Sequence, residues 1–176
     1  MFIFQPHLVF IVSQSDSAQN VWDSDGYAMT DAADQVAWAF NWWREHLDIG
    51  FGWGNRIDAA GSTAFENAPR NGGGAIALEM ARLYNELRLT DIAIFLGTRQ
   101  MQPYGWQPSG TKLIFIAYNY LKHNIKTPLA HELGHLMGAQ HNELTPPDIM
   151  HKSSPDLNIL HTETLAEIRE QYLYGE

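Results

Sequence analysis

Short unbroken apolar runs and longer amphipathic stretches alternate along this chain. Residues 8–12 (LVFIV), 91–96 (DIAIFL) and 113–118 (LIFIAY) have the length and β-branched content of strands covered on both faces. Between the first two, Ala33, Val36, Ala37, Phe40, Trp43 and Leu47 recur at intervals of three and four. That spacing predicts a helix from an N-cap at Thr30 or Asp31 to about residue 47. Ile76, Met80, Leu83 and Leu87 share one face of a second helix over about 75–89. A third helix is expected over about 127–139 and a fourth over about 162–173, the fourth with only part of a capping box because Leu165 stands where Glu or Gln would close it. The aromatic segment 51–57, containing Gly52 and Gly54, reads as a further strand, 13–26 as a polar loop, and 97–110 as a long loop or edge hairpin. Strands alternating with helices point to a mixed α/β fold around a mostly parallel sheet.

The 176 residues are the size of one domain, whose single core can bury about 70% of the surface its unfolded chain exposes. Hydrophobic residues make up 45% and charged residues 18%, which excludes intrinsic disorder. Lys and Arg number 11 against 20 Asp and Glu, and the resulting charge of -9 repels phosphate backbones and anionic lipids, so neither nucleic acid nor a membrane is an expected partner. No cysteine is present, which removes disulfides, thiolate metal ligands and a thiol nucleophile; any metal must be held by His and carboxylates. The apolar start MFIFQPHLVFIV has no Lys or Arg and is interrupted by Gln5, Pro6 and His7, so Leu8 to Val12 reads as a buried strand rather than the remnant of a signal segment.

Residues 131–141 carry the pattern H-E-x-x-H-x-x-G-x-x-H. On a helix, His131 and His135 lie one turn apart with about 5–6 Å between their Cβ atoms, so both rings can meet one ion at about 2.0–2.1 Å, the zinc distance. Gly138 can adopt the positive φ that ends a helix, letting the chain turn and bring His141 back as a third ligand. Three neutral imidazoles leave a fourth position open for water, the arrangement of a catalytic zinc. Glu132 is then the expected general base: zinc lowers the pKa of its water toward about 7, and the carboxylate takes the proton as the water attacks a carbonyl.

With these residues the sequence resembles the metzincin family of zinc endopeptidases, whose long motif is followed by a methionine turn. Met150, nine residues after His141 in the context Asp148, Ile149, Met150, resembles that turn, in which the family places a Met beneath the three histidines as an apolar floor. The resemblance covers about 127–150. It implies one catalytic zinc on His131, His135 and His141, Glu132 as base, and an endopeptidase acting on peptides or proteins. It also implies a twisted, mostly parallel sheet whose antiparallel edge strand borders a cleft, and a single catalytic domain split into an N-terminal part of about 1–138 and a small C-terminal part of about 139–176. The edge is expected within residues 100–110, where an extended peptide would pair through main-chain hydrogen bonds. Tyr104 and Trp106 are candidates to line the cleft, and Ser153, Ser154 and Pro155 to wall a side-chain pocket. Secretion is slightly favoured by the resemblance alone; composition leaves the compartment open. The branch is closest to adamalysin-like or minimal bacterial members: Asn142 departs from the Asp, Glu, Ser or Pro of the best-known branches. Lys152 stands where astacin-like and serralysin-like members place a Tyr ligand.

The other histidines, His7, His46, His123, His151 and His161, lack ligand spacing, and only His151, beside Met150, falls near the expected cleft. Asp23, Ser24, Asp25 and Gly26 resemble half of a calcium loop without its later acidic ligands and read as a turn, which leaves calcium open but unsupported. Gly72, Gly73 and Gly74 precede a helix but fit neither G-x-G-x-x-G nor G-K-[ST], against nucleotide binding. Two rival functions share all four site residues: a zinc protein that binds peptide in the cleft without cutting it, and a zinc hydrolase of non-peptide amides.

Overall fold

A computed structural model describes residues 2–12, 29–52, 54–60, 73–97, 105–117, 127–152 and 159–170. In chain order the elements are β1 (Phe2–Phe4), β2 (His7–Val12), α1 (Met29–Arg44), β3 (Ile49–Phe51), β4 (Arg56–Ala60), α2 (Gly73–Glu86), β5 (Ala93–Gly97), β6 (Gly105–Trp106), β7 (Leu113–Ala117), α3 (Thr127–Leu136) and α4 (Thr162–Ile168). The main sheet runs β4-β2-β5-β7-β6, with the first four strands parallel. β6 is antiparallel to β7, Gly105 standing opposite Ile116 and Trp106 opposite Phe115. The fold is therefore a mixed α and β one with a mostly parallel sheet and an antiparallel edge, as the alternation of apolar runs predicts, and the edge falls inside the expected window.

The period of two along each strand divides the core between the two faces of the sheet. Leu8, Ile94, Leu96, Ile114 and Ile116 face α1 and α3, meeting Val36, Phe40, Trp43, Leu129, Leu133 and Met137. Val9, Ile11, Ala93, Phe95, Leu113 and Phe115 face α2, meeting Ile76, Met80 and Leu83. Burial on both faces explains why these strands read as unbroken apolar runs. Among the described residues no helix is long and apolar enough to cross a membrane.

Two expectations need correction. The single strand expected over 51–57 is two strands: β3 pairs with β1 in a separate two-stranded parallel sheet, while β4 joins the main one. The glycines mark the crossing. A Cβ on Gly54 would stand 2.6 Å from the Gln5 carbonyl oxygen and 2.8 Å from that of Pro6, so only Gly lets the backbones approach this closely. Leu87 does not share the buried face of α2, because the helix ends at Glu86 and Arg88, at φ 53, turns the chain and gives the buried position to Leu89.

α1 is tied to α3 by a specific bond as well as by packing. Trp43, fully buried, donates its indole Nε1–H to the Ala130 carbonyl at 2.7 Å, one residue before His131. Trp43→Phe keeps most of the apolar area and loses this bond; we expect a stability loss of about 1–2 kcal/mol by denaturant titration.

Candidate metal centre

The end of α3 brings three histidines together. The Gly138 N–H bonds to the His135 carbonyl at 2.9 Å and the Ala139 N–H to the Gly134 carbonyl at 3.0 Å, the paired closure of a Schellman cap, with Gly138 at φ 98. The helix stops at Leu136, earlier than the expected residue 139, and the chain doubles back to place His141 against the helix. His131, His135 and His141 each offer a ring nitrogen, all within 4.8 Å of one another. The Nε2 atom of His141 lies 3.0 Å from that of His131 and 3.1 Å from that of His135. Two nitrogens bound tetrahedrally to one zinc would be about 3.3–3.4 Å apart, given bonds of about 2.0–2.1 Å.

The tautomers follow from the partners. His131 Nδ1 is 2.7 Å from the Ile149 carbonyl oxygen, and His135 Nδ1 is 2.8 Å from that of Ala139. A carbonyl can only accept, so each Nδ1 carries the proton and each Nε2 is a bare lone pair. Burial lowers all three imidazoles below the ordinary histidine range, His131 to about 4, so the rings are neutral near pH 7. Three neutral rings aimed at one point, two of them with fixed lone pairs, make a donor set that fits a divalent cation. Among the described residues this is the one group of His, Cys, Asp or Glu so arranged.

Glu132 faces the edge strand. It is 7% exposed, and burial pushes its carboxyl up to about 8, with the Gln107 backbone N–H pulling the other way. A Cβ on Gly105 of β6 would stand 3.0 Å from both Cγ and Oε1 of Glu132, so a bare backbone at this edge position is what admits the carboxylate. Trp106, next along β6, packs partly buried against the cluster on the α2 face, which corrects its assignment to the cleft; alternation along the strand sends its ring to the other side of the sheet. A groove of about 700 Å³ opens beside His135, lined by Gln107, Thr111 and Lys112 of the β6–β7 turn and by Gln140, Asp91 and Ile3.

Met150 is fully buried and sits against the middle of α3. A Cβ built on Gly134 would overlap the Met150 Sδ and stand 3.1 Å from Trp43 Cζ2, so this helical glycine makes room for the thioether between the first two histidines. Motif reasoning missed the role of Gly134. The available signal was its cost, about 1 kcal/mol relative to Ala inside a helix, which calls for a packing reason. Gly134→Ala is expected to destabilise the protein by about 1–3 kcal/mol despite the better helix propensity, as a lower midpoint in thermal unfolding. Sequence reasoning also missed Gly105 and the role of Asp148, whose residue it quoted only as context. Asp148 is fully buried and accepts four hydrogen bonds; burial works to raise its pKa, but those bonds hold it below the usual range.

The remaining sequence candidates lie elsewhere. His7 Nδ1 accepts the Asn55 N–H, His161 Nε2 meets the Pro146 carbonyl, and His46 packs on Trp42. His151 is half-buried and bridges to Asn142. Asp23, Ser24, Asp25, Gly26, Gly72, Tyr104, His123, Ser153, Ser154 and Pro155 fall outside the described residues.

No protein-family model matches the chain, and no curated protein does. Among solved structures, the chain is similar in fold to metalloproteinase-II from Bacteroides fragilis, with a TM-score of 0.55 and 16% identity over 97% of this chain and 53% of that one. It thus spans about half the length of that protein. A zinc-dependent peptidase from Methanocorpusculum labreanum aligns with a TM-score of 0.49 and 14% identity over 93% of this chain and 99% of that one.

Proposed function

We propose that the chain is a zinc-dependent endopeptidase of the metzincin type, with His131, His135 and His141 as metal ligands and Glu132 as general base. The observation that carries this reading is the convergence of three imidazole Nε2 atoms, two of them fixed as lone pairs by Nδ1–H donation to carbonyls, one residue from a buried carboxylate on a sheet edge. The fold shared with a metalloproteinase supports it. Zinc held by these rings supplies Lewis acidity and lowers the pKa of water toward about 7.

The protein's own groups do the rest. Burial pushes the Glu132 carboxyl up to about 8, and a cation held by the neighbouring histidines would favour its charged form, which matches a base that works when the site is loaded. Glu132 takes the proton of the attacking water and returns it to the leaving amine. Among the described residues β6 pairs in the main sheet with β7 alone, and its outer edge suits addition of an extended peptide. The groove beside His135 would hold substrate residues on one side of the cut bond. Met150 serves as the methionine turn, packed on Gly134 beneath the ligands, and Gly138 divides an N-terminal part of about 1–138 from a C-terminal part of about 139–176.

Purified protein loaded with zinc and incubated with a mixed peptide library, read by mass spectrometry, should yield internal cuts that a chelator abolishes. Zinc bound at one equivalent with no cut in any peptide would favour the binding protein that holds peptide without turnover. Cleavage confined to non-peptide amides would favour the other rival.

A further inference from the structure

The acceptor of His131 Nδ1–H and the residue that follows His141 converge on one side chain outside the motif. The Asp148 carboxylate uses both oxygens. Oδ1 accepts from Asn142 Nδ2 at 2.8 Å and from the Met150 N–H at 2.9 Å, and Oδ2 accepts from Thr164 Oγ1 at 2.6 Å and the His161 N–H at 3.3 Å. The Met150 N–H belongs to the same peptide unit as the Ile149 carbonyl, which accepts the hydrogen bond from His131 Nδ1–H. Fixing one side of that rigid plane therefore aims the acceptor on the other. Asn142 follows His141 directly, and its own N–H bonds to the Met150 carbonyl at 3.0 Å. His135 needs no such help, because its Nδ1 acceptor, Ala139, lies within the helix cap.

Resting on the zinc reading above, we infer that Asp148 is a positioning residue of the metal centre, orienting His131 through the 149–150 peptide and His141 through Asn142. Groups that orient a ligand in this way typically change metal affinity by about 10–100-fold when removed. A carboxylate is the side chain for this place, since it accepts four donors without a proton of its own. Thr164 and His161 anchor the other oxygen to the segment at α4. Thr164 Oγ1 also accepts from Asn142 Nδ2, but at 3.3 Å against the 2.8 Å of the Asp148 bond, so the first oxygen carries most of the hold on the ligand side and the second most of the hold on the fold.

The test is zinc affinity by chelator competition, with cobalt absorption as a report on ligand geometry, on proteins kept well below their unfolding temperatures. Asp148→Ala should bind zinc about 10–100-fold more weakly with an altered cobalt spectrum. Asp148→Asn, which keeps an oxygen for Asn142 and Met150, should recover most of that loss. Thr164→Val should lower the melting temperature of the metal-free protein while leaving zinc affinity within about threefold, well short of the loss expected for an orienting group. Wild-type affinity in folded Asp148→Ala, or an equal loss of affinity in Thr164→Val, would overturn the inference. Should Asp148→Ala fail to fold, Asn142→Ala at a half-exposed position decides, with about tenfold weaker binding supporting the inference and unchanged binding overturning it. A wild-type protein that binds no zinc would remove the zinc reading itself, whereas wild-type binding with unaffected variants would remove only the role of Asp148.

Discussion

Glu132→Ala is expected to lower peptide hydrolysis by about 10²–10⁴-fold while leaving the zinc content at one equivalent, the range lost with a positioned general base. The separation is possible because Glu132 is not a member of the imidazole cluster. The side chain instead lies between α3 and the edge strand, against Gly105 and the Gln107 N–H. Its removal takes away a carboxyl that burial makes costly to ionise, so the metal-free fold should not suffer. Steady-state kinetics on an internally quenched peptide, with metal content measured on the same sample, checks both halves. Glu132→Gln should fail equally, since an amide preserves shape and cannot take a proton.

His135→Ala should lose metal and activity together. The three-imidazole set becomes a two-imidazole set, and we expect zinc affinity to fall by about 10³-fold or more, since two ligands leave half the tetrahedral sphere to water. The fold should survive the change. His135 is half-buried at the end of α3, its Nδ1 bond goes to a carbonyl within the cap, and the Gly138 and Ala139 closures do not involve its side chain. The metal-free forms of His135→Ala and wild type should therefore unfold within about 1 kcal/mol of each other. Zinc should raise the melting temperature of the wild type and not that of His135→Ala, because a ligand stabilises only the state that binds it. The contrast with Glu132→Ala, which keeps the zinc-induced shift and loses turnover, separates ligand from base.

The cluster of His131, His135 and His141 and the turn at Gly138 were legible because each obeys a local rule: helical spacing for His131 and His135, and a glycine placed for positive φ that brings His141 back. The strands were legible because both of their faces are buried. What escaped was set by contacts distant in sequence. Nothing local in Gly134 announces Met150 sixteen residues on, and nothing in Gly105 announces Glu132, yet both glycines are places where a single methyl would strike a side chain of the proposed site. The split of segment 51–57 depended on the backbone of Gln5 and Pro6, and Trp106 faced away from the cleft because strand alternation, once Gly105 met Glu132, left it no other side. Asp148 was visible beside the methionine, but its role depends on Asn142 and Thr164, which only the folded chain brings to it.

The most direct measurement is hydrolysis of a quenched peptide by chelator-stripped protein as zinc is added back, with Glu132→Ala carried in parallel. Activity in the wild type should rise linearly and level off at one equivalent, and the variant should bind the same equivalent and stay flat. Turnover that survives metal removal, or that persists in Glu132→Ala, would contradict a zinc peptidase built on these residues.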